Sequence, residues 1–188
     1  MKLGLALGGG GARDLAHIPM LEVVDELGIK PAIIAGCSMG VLVGAAYAAG
    51  MSARDMRLQA EKILGNRMDA ASYVFGTKKS KLGDILSLQG LLSLHLQGEK
   101  LVELVLPEKI VKNIEDTAIP LRIVATDFER LEEHVLSRGN LVRAVAASIA
   151  FPGVIVDTVI CGHLHLSGWV PHPVHLNPVR DGRALFEA

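Results

Sequence analysis

The first residues that could do chemistry lie in Gly36-Cys37-Ser38-Met39-Gly40, a G-x-S-x-G pattern. A short apolar run precedes it and a nearly all-apolar run follows, so the pattern predicts a sharp turn from a strand into a helix. Such a turn would hold the Ser38 hydroxyl exposed at the positive end of the helix. The Met39 N–H would be available there to stabilise an oxyanion. The segment therefore predicts a serine nucleophile, with an ordinary glycine-rich turn as the alternative.

A second glycine-rich segment runs from Gly8 to Gly11 and is followed by Ala12 and Arg13. Consecutive glycines expose backbone N–H groups, which suits an anion or an oxyanion. No Gly-Lys-Ser/Thr follows, which excludes a nucleotide-binding P-loop, and the dinucleotide fingerprint is also absent. The segment indicates a site for a developing negative charge, or simply a turn.

A third group of candidates lies near the C-terminus and consists of one cysteine and several histidines: Cys161, His163, His165, His172 and His175. Zinc accepts these ligand types, and alternate residues of a strand share a face. Their spacing matches no ordinary zinc pattern, and no carboxylate is evident to orient them. We therefore expect neither a metal nor an organic cofactor, and solvent-facing histidines are the simpler alternative.

The elements that must position these residues alternate between strand and helix, which predicts an α/β fold with a mostly parallel sheet. Predicted strands cover 2–7, 32–35, 120–126 and 133–137, with strand-like alternation from 154 onward, and predicted helices cover 15–27, 39–49, 53–64, 99–106 and 141–150. Pro19 predicts a kink or a late helix start, and Asn140 a helix cap. Residues 66–97 predict a surface excursion. Both glycine-rich turns follow strands, and such sheets bind ligands at the carboxyl ends of their strands.

Length and composition limit the class of protein. A chain of 188 residues, half of them hydrophobic, predicts a single folded domain over 1–188, and we allow for a shortened C-terminal edge. The net charge of −1 provides no basic excess for a nucleic-acid partner. Two cysteines fit a reducing compartment.

Two apolar stretches could be mistaken for membrane or targeting signals. The N-terminal run is short and broken by glycines, so we do not expect a signal peptide. Residues 31–53 carry no charge and are long enough to span a bilayer, but the glycines and the change of pattern predict a strand, a turn and a buried helix instead. We expect a cytoplasmic protein, with transient contact at a membrane surface as an open alternative.

Several segments together resemble the patatin-like phospholipase family: LGGGGARDLAHIPMLEVVDELGI, IIAGCSMGVLVGAAYAAG, IPLRIVATDFE and VLSRGNLVRAVAASIAFPGV. The resemblance covers most of residues 3–157. It implies a three-layer α/β/α fold and a serine lipid acyl hydrolase that acts on acyl esters or lipids through a Ser–Asp dyad. By this resemblance Ser38 is the nucleophile, and the oxyanion loop is formed by Gly9, Gly10, Gly11 and Arg13.

Two departures from the family pattern predict an impaired or altered hydrolase, by natural divergence or by engineering. The family's acid is an Asp in an Asp-Gly-Gly or Asp-Gly-Ala turn, but that Asp would fall here on Ser167, or on Leu166 if the register slips by one. Asp14 replaces the family's usual Gly and brings a negative charge beside the presumed oxyanion loop. The alternative is a non-catalytic member that binds lipid or a protein partner, and an acyltransferase is a third reading.

His165 is the candidate to replace the missing base. On a strand, His163, His165 and Ser167 would point to the same face, which puts His165 one pleat from the expected acid position. A neutral imidazole can accept a serine proton at pH 7.

Overall fold

The computed structural model describes residues 3–65, 98–107, 110–150, 158–160, 162–167 and 184–187. Its strands are β1 (Leu3–Leu7), β2 (Ile33–Cys37), β3 (Leu121–Asp127), β4 (Glu132–Leu136), β5 (Thr158–Ile160), β6 (His163–Ser167) and β7 (Ala184–Glu187). Strands β7, β1, β2 and β3 are parallel neighbours in that order. Strands β4 and β6 pair antiparallel with β3, and β5 pairs antiparallel with β6. The predicted α/β class with a mostly parallel sheet is confirmed.

The helices begin and end within a few residues of their predicted bounds. They are α1 (His17–Glu26), α2 (Met39–Ala48), α3 (Ala53–Gly65), α4 (Gly98–Val105) and α5 (Leu141–Ile149), with 3-10 turns at Gly11–Ala16 and Ile114–Asp116. Because α1 starts late, Pro19 lies in its first turn, where a missing N–H costs nothing. The Asn140 side chain accepts the Arg143 N–H at 2.9 Å and caps α5 as predicted.

The sequence predicts two segments without sharp bounds, residues 154 onward and residues 66–97. The strand-like pattern from 154 onward divides into β5 and β6, which form a hairpin, and Gly162 lies between them with a φ of +85°. That left-handed conformation favours glycine. The predicted excursion over 66–97 lies outside the described residues.

In the described part of the chain, no helix combines the length and the apolarity needed to cross a bilayer.

The main hydrophobic core lies on one face of the sheet. Helix α2 is buried from Gly40 to Ala48 and packs closely on that face, since a Cβ at Gly44 would lie 3.1 Å from Leu7 Cδ1 and 3.2 Å from Ile34 Cγ2. The opposite face carries a smaller buried cluster of Ala6, Ile33 and Ala35. The uncharged stretch 31–53 thus forms β2, a turn and α2, as its pattern predicts.

Strand β3 has three partners, and their registers place two of them on one edge. Val124 pairs with both β2 and β4, and Ala125 pairs with both β4 and β6. A strand has only two edges, so β2 and β6 lie one after the other along the same edge of β3. Cys37, the last residue of β2, pairs with Val124, and Ser167 of β6 pairs with the next residue, Ala125. Ser167 therefore occupies the ladder position that the residue after β2 would otherwise fill.

Candidate active site

Ser38 lies in a strained turn between β2 and α2. Its φ of 52° and ψ of −132° are unusual for a residue other than glycine, and such strain costs about 1–3 kcal/mol and is concentrated at functional sites. Gly36 makes the turn possible, because a Cβ there would lie 2.8 Å from Val41 Cα. The half-buried Ser38 thus has the strand–turn–helix setting that its pattern predicts.

The glycine-rich loop after β1 packs directly against this turn. A Cβ at Gly40 would collide with Gly8 O and would lie 2.5 Å from Leu7 O, so only glycine fits there. Strands β1 and β2 are parallel neighbours, which brings their carboxyl ends together. The two motifs singled out in the sequence therefore lie side by side.

Two of the predicted oxyanion donors are already hydrogen-bonded within the chain. The Gly10 N–H donates to Asp14 Oδ2 at 2.7 Å, and Asp14 is only 6% exposed. The Gly9 backbone N–H is directed at the Cys37 thiol. Gly11 begins a 3-10 turn, and Arg13 is exposed to solvent. The carboxylate of Asp14 thus lies at the loop that is predicted to bind the oxyanion.

Other groups around the turn have structural roles. Burial raises the pKa of the Cys37 thiol to about 12, despite the Gly9 N–H, so a cysteine nucleophile is disfavoured. The buried His17 Nε2 lies 3.2 Å from Gly8 O and holds the start of the glycine loop. Met39 is the first residue of α2, a position whose N–H has no partner within the helix.

Ser148, on α5, contacts the Ser38 turn, a contact that the sequence does not predict. The Ser38 N–H donates to Ser148 Oγ at 3.0 Å, across 110 positions of the chain. No side chain of the described residues forms a hydrogen bond with Ser38 Oγ itself. A buried serine in an alanine-rich helix carries no local sequence signal for such a contact.

Ser167 and Leu166, the two candidate positions for the missing acid, point to opposite faces of the sheet. Ser167 is 1% exposed and pairs with Ala125, on the side of the sheet that the core helices cover. Leu166 pairs with Thr126 and faces the other way. The Ser167 N–H donates to Ala150 O at 2.7 Å, and Thr126 Oγ1 donates to Ser167 O at 3.0 Å.

The hydrogen-bond partners of His165 are His134 and His163 rather than Ser38. His165 Nδ1 lies 2.9 Å from His163 O, a carbonyl that can only accept, so Nδ1 carries the proton. In neutral His165, Nε2 then accepts from His134 Nδ1–H at 2.6 Å. Both ring nitrogens are engaged, and no lone pair is left for the Ser38 proton. His165 is also 1% exposed, so the solvent-facing alternative is wrong for this residue.

His134 makes this histidine pair sensitive to acid. Burial lowers the pKa of His134 below its ordinary value, the charge on His165 lowers it further, and the Asp127 carboxylate opposes the shift. His163 and Arg130 also lower the His134 pKa through their charge. A histidine with a depressed pKa stabilises the fold above its unfolded pKa, and that stability is lost as the pH falls below it.

We therefore expect the melting temperature to fall as the pH is lowered from about 7 to about 5, and to fall less steeply in His134→Gln. His163→Gln is the matched control, because the His163 side chain is 36% exposed and lies 3.5 Å from Asp127 Oδ2 and 3.4 Å from Glu129 Oε2. Thermal melts over this pH range measure the slopes. Equal slopes in wild type and His134→Gln would contradict the prediction.

The metal alternative rests on five residues, of which the structure describes His163 and His165. Cys161, His172 and His175 lie outside the described residues. Within the residues that the structure describes, no group of three or more potential ligands is arranged to hold a metal ion.

An apolar cavity of about 350 Å³ opens beside the Ser38 turn. Its walls are side chains of α2, α3 and α4 together with Leu15, Ile18 and Met51, and Met39, the residue after Ser38, is among them. The polar member of the lining, Gln59, donates to Leu104 O at 3.1 Å and is satisfied. A cavity of this volume and polarity suits a hydrocarbon chain.

Comparison with known proteins decides the family. A family model described as patatin-like phospholipase matches residues 5–185. The chain belongs to the patatin-like phospholipase family. An uncharacterized NTE family protein of Mycobacterium tuberculosis is 33% identical over 183 residues, a match that covers 95% of this chain and 45% of that protein.

Two further matches are a much longer relative and a solved structure. The neuropathy target esterase sws of Drosophila persimilis is 30% identical over 172 residues, or 89% of this chain and 11% of that protein. The patatin-like chain thus spans less than half the length of these relatives. The crystal structure of VipD from Legionella pneumophila superimposes with a TM-score of 0.56 at 16% identity, covering 99% of this chain and 49% of VipD, which supports the fold.

Proposed function

We propose that this chain carries the site of a serine acyl hydrolase for acyl esters or lipids, and that its turnover is slow. The observation that carries the proposal is Ser38, strained at φ 52° where β2 ends, beside both the glycine loop and the apolar cavity. A nucleophile, a loop of backbone donors and a hydrocarbon-sized cavity are parts of a site that hydrolyses lipid esters. Family membership supports the same reaction.

The proposed reaction proceeds in two steps. Ser38 Oγ attacks the ester carbonyl carbon and gives up its proton, the alcohol leaves with a proton, and an acyl-serine remains. Water then attacks that acyl-serine, releases the carboxylic acid and returns the proton to Ser38. The apolar cavity would hold the acyl chain, and the Met39 N–H with the glycine loop would bind the oxyanion.

Two features of the site predict the slow turnover. Ser167, at the acid position, cannot accept the Ser38 proton, and a serine without a base is a weak nucleophile. The Asp14 carboxylate occupies the Gly10 N–H and would repel the oxyanion. These same features favour the second candidate, a non-catalytic member that binds lipid in the cavity.

Labelling with a fluorophosphonate probe tests the nucleophile. We expect the wild-type protein to be labelled slowly and Ser38→Ala not at all, because the probe forms its bond with Ser38 Oγ. Hydrolysis of a short-chain p-nitrophenyl ester should fall to the uncatalysed rate in the same variant. Cys37→Ala is the matched control, since it removes the neighbouring thiol and leaves Ser38 in place; its labelling should persist.

The result that separates the two candidates is labelling itself. Wild-type protein that resists the probe and hydrolyses no ester, yet binds a fluorescent fatty-acyl lipid, would replace the hydrolase by the lipid-binding candidate. Labelling that persists in Ser38→Ala would remove Ser38 as the nucleophile.

A further inference from the structure

Ser148 makes a hydroxyl bridge between the nucleophile turn and the sheet. It is 0% exposed, accepts the Ser38 N–H at 3.0 Å and donates to Val124 O at 2.6 Å. We propose that Ser148 is a positioning residue that holds Ser38 in its strained conformation and fixes its place relative to position 167. This proposal rests on the proposed function and names a residue that acts through Ser38 rather than on the substrate.

The bridge takes the place of one rung of the β2–β3 ladder. Ile34 N–H donates to Pro120 O at 2.9 Å, and hydrogen bonds in a parallel ladder repeat every second residue. With Cys37 paired to Val124, the rung at Ser38 would join its N–H to Val124 O. The Ser148 hydroxyl lies between these two groups and bonds to both.

This insertion is what lets the chain leave the sheet at Ser38. A direct rung would keep Ser38 in extended conformation, whereas its φ is 52°. A buried N–H and a buried carbonyl would then be left unpaired unless another group satisfied them. One hydroxyl, a donor and an acceptor at once, satisfies both groups.

The same end of α5 also holds the acid position. Ala150, two residues after Ser148, accepts the Ser167 N–H at 2.7 Å. Ser148 and Ala150 thus tie Ser38 and Ser167 to one short segment. Because a shift of about 1 Å between reacting groups can cost 10²-fold in rate, this segment would set the separation that a dyad needs.

The test uses Ser148→Ala, Ser148→Thr and the control Ile149→Val. Ser148→Ala should slow fluorophosphonate labelling by about 10- to 100-fold and, in a Ser167→Asp background, lower kcat far more than it raises KM. Ser148→Thr keeps the hydroxyl and should restore most of the rate. Ile149→Val removes a buried methylene from the same helix and should lower the melting temperature without slowing labelling.

Amide hydrogen exchange at Ser38 reports on the bridge without any catalysis. Protection of the Ser38 N–H should be lost in Ser148→Ala and kept in Ser148→Thr and Ile149→Val. Protection and labelling of Ser148→Ala at wild-type levels would overturn the positioning role. If Ser148→Ala does not fold, an unprotected Ser38 N–H in wild type or in Ser148→Thr would overturn it. If Ser38 N–H protection changes among the variants as expected but neither wild type nor any variant is labelled, the bridge stands and the proposed hydrolase is overturned.

Discussion

Replacing Ser167 by Asp should raise the rate of ester hydrolysis by about 10²–10⁴-fold, the contribution of a positioned general base. Ser167 occupies the ladder position just beyond the end of β2, on the face that the core helices cover, where the chain turns into Ser38. We expect a carboxylate there to accept the Ser38 proton in the proposed reaction. Burial would raise the pKa of the new carboxyl, which improves its basicity near neutral pH.

Two matched variants test whether a gain in rate comes from a general base at position 167 or from any substitution there or nearby. Ser167→Asn has nearly the shape of Asp but cannot take a proton, so it should leave the rate low. Leu166→Asp puts the carboxylate on the opposite face of the sheet, beside Thr126, and should not help. The measurement is kcat/KM for a short-chain p-nitrophenyl ester, with thermal melts to confirm folding. Equal gains in Ser167→Asn, or none in a folded Ser167→Asp, would contradict the prediction.

The pH–rate profile addresses His165, the base predicted from the sequence. A histidine base would make the residual wild-type rate rise through about pH 6–7, and His165→Ala would abolish that rise. The bonds of His165 to His134 and His163 argue for an unchanged profile. A loss of the rise in His165→Ala would restore His165 to the mechanism.

Local signals in the sequence were sufficient for the parts of the site that depend on neighbouring residues. The G-x-S-x-G spacing predicts the turn at Ser38 because glycines are needed within two residues of it, and the structure has those close contacts at Gly36 and Gly40. Asp14 stands out in the sequence because it replaces the family's usual Gly beside the glycine loop, and its carboxylate does bond Gly10. Capping by Asn140 follows the same local logic.

Contacts between distant segments were not predictable in this way. His134 and His165 meet because β4 and β6 lie on opposite edges of β3, and no periodicity within either strand reveals that pairing. The Ser148 bridge joins residues 110 positions apart. The place of β6 beyond the end of β2 likewise follows only from the registers. The Ser148 bridge and the place of β6 decide which residues surround Ser38.

Replacing Asp14 by Gly should raise the rate further, on the order of 10²-fold, because it frees a donor of the proposed oxyanion loop. Removing one such donor from a serine hydrolase costs about 10²–10³-fold, and the Gly10 N–H is now bonded to the Asp14 carboxylate at 2.7 Å. The buried carboxylate also repels the negative charge that develops on the substrate oxygen. The gain should be clearest in the Ser167→Asp background, where proton transfer no longer limits the rate.

Asp14→Asn distinguishes the charge from the hydrogen bond. Its side-chain carbonyl can still accept the Gly10 N–H, so it should recover the part of the rate lost to repulsion and not the part lost to the occupied donor. The values of kcat/KM, measured in Ser167→Asp protein, should therefore increase from unchanged Asp14 to Asp14→Asn and then to Asp14→Gly. Because Asp14 lies 4.0 Å from His17 and is buried, thermal melts must accompany the rates. A folded Asp14→Gly/Ser167→Asp variant no faster than Ser167→Asp alone would mean that the Gly10 N–H does not bind the oxyanion, which would leave that role to the Met39 N–H.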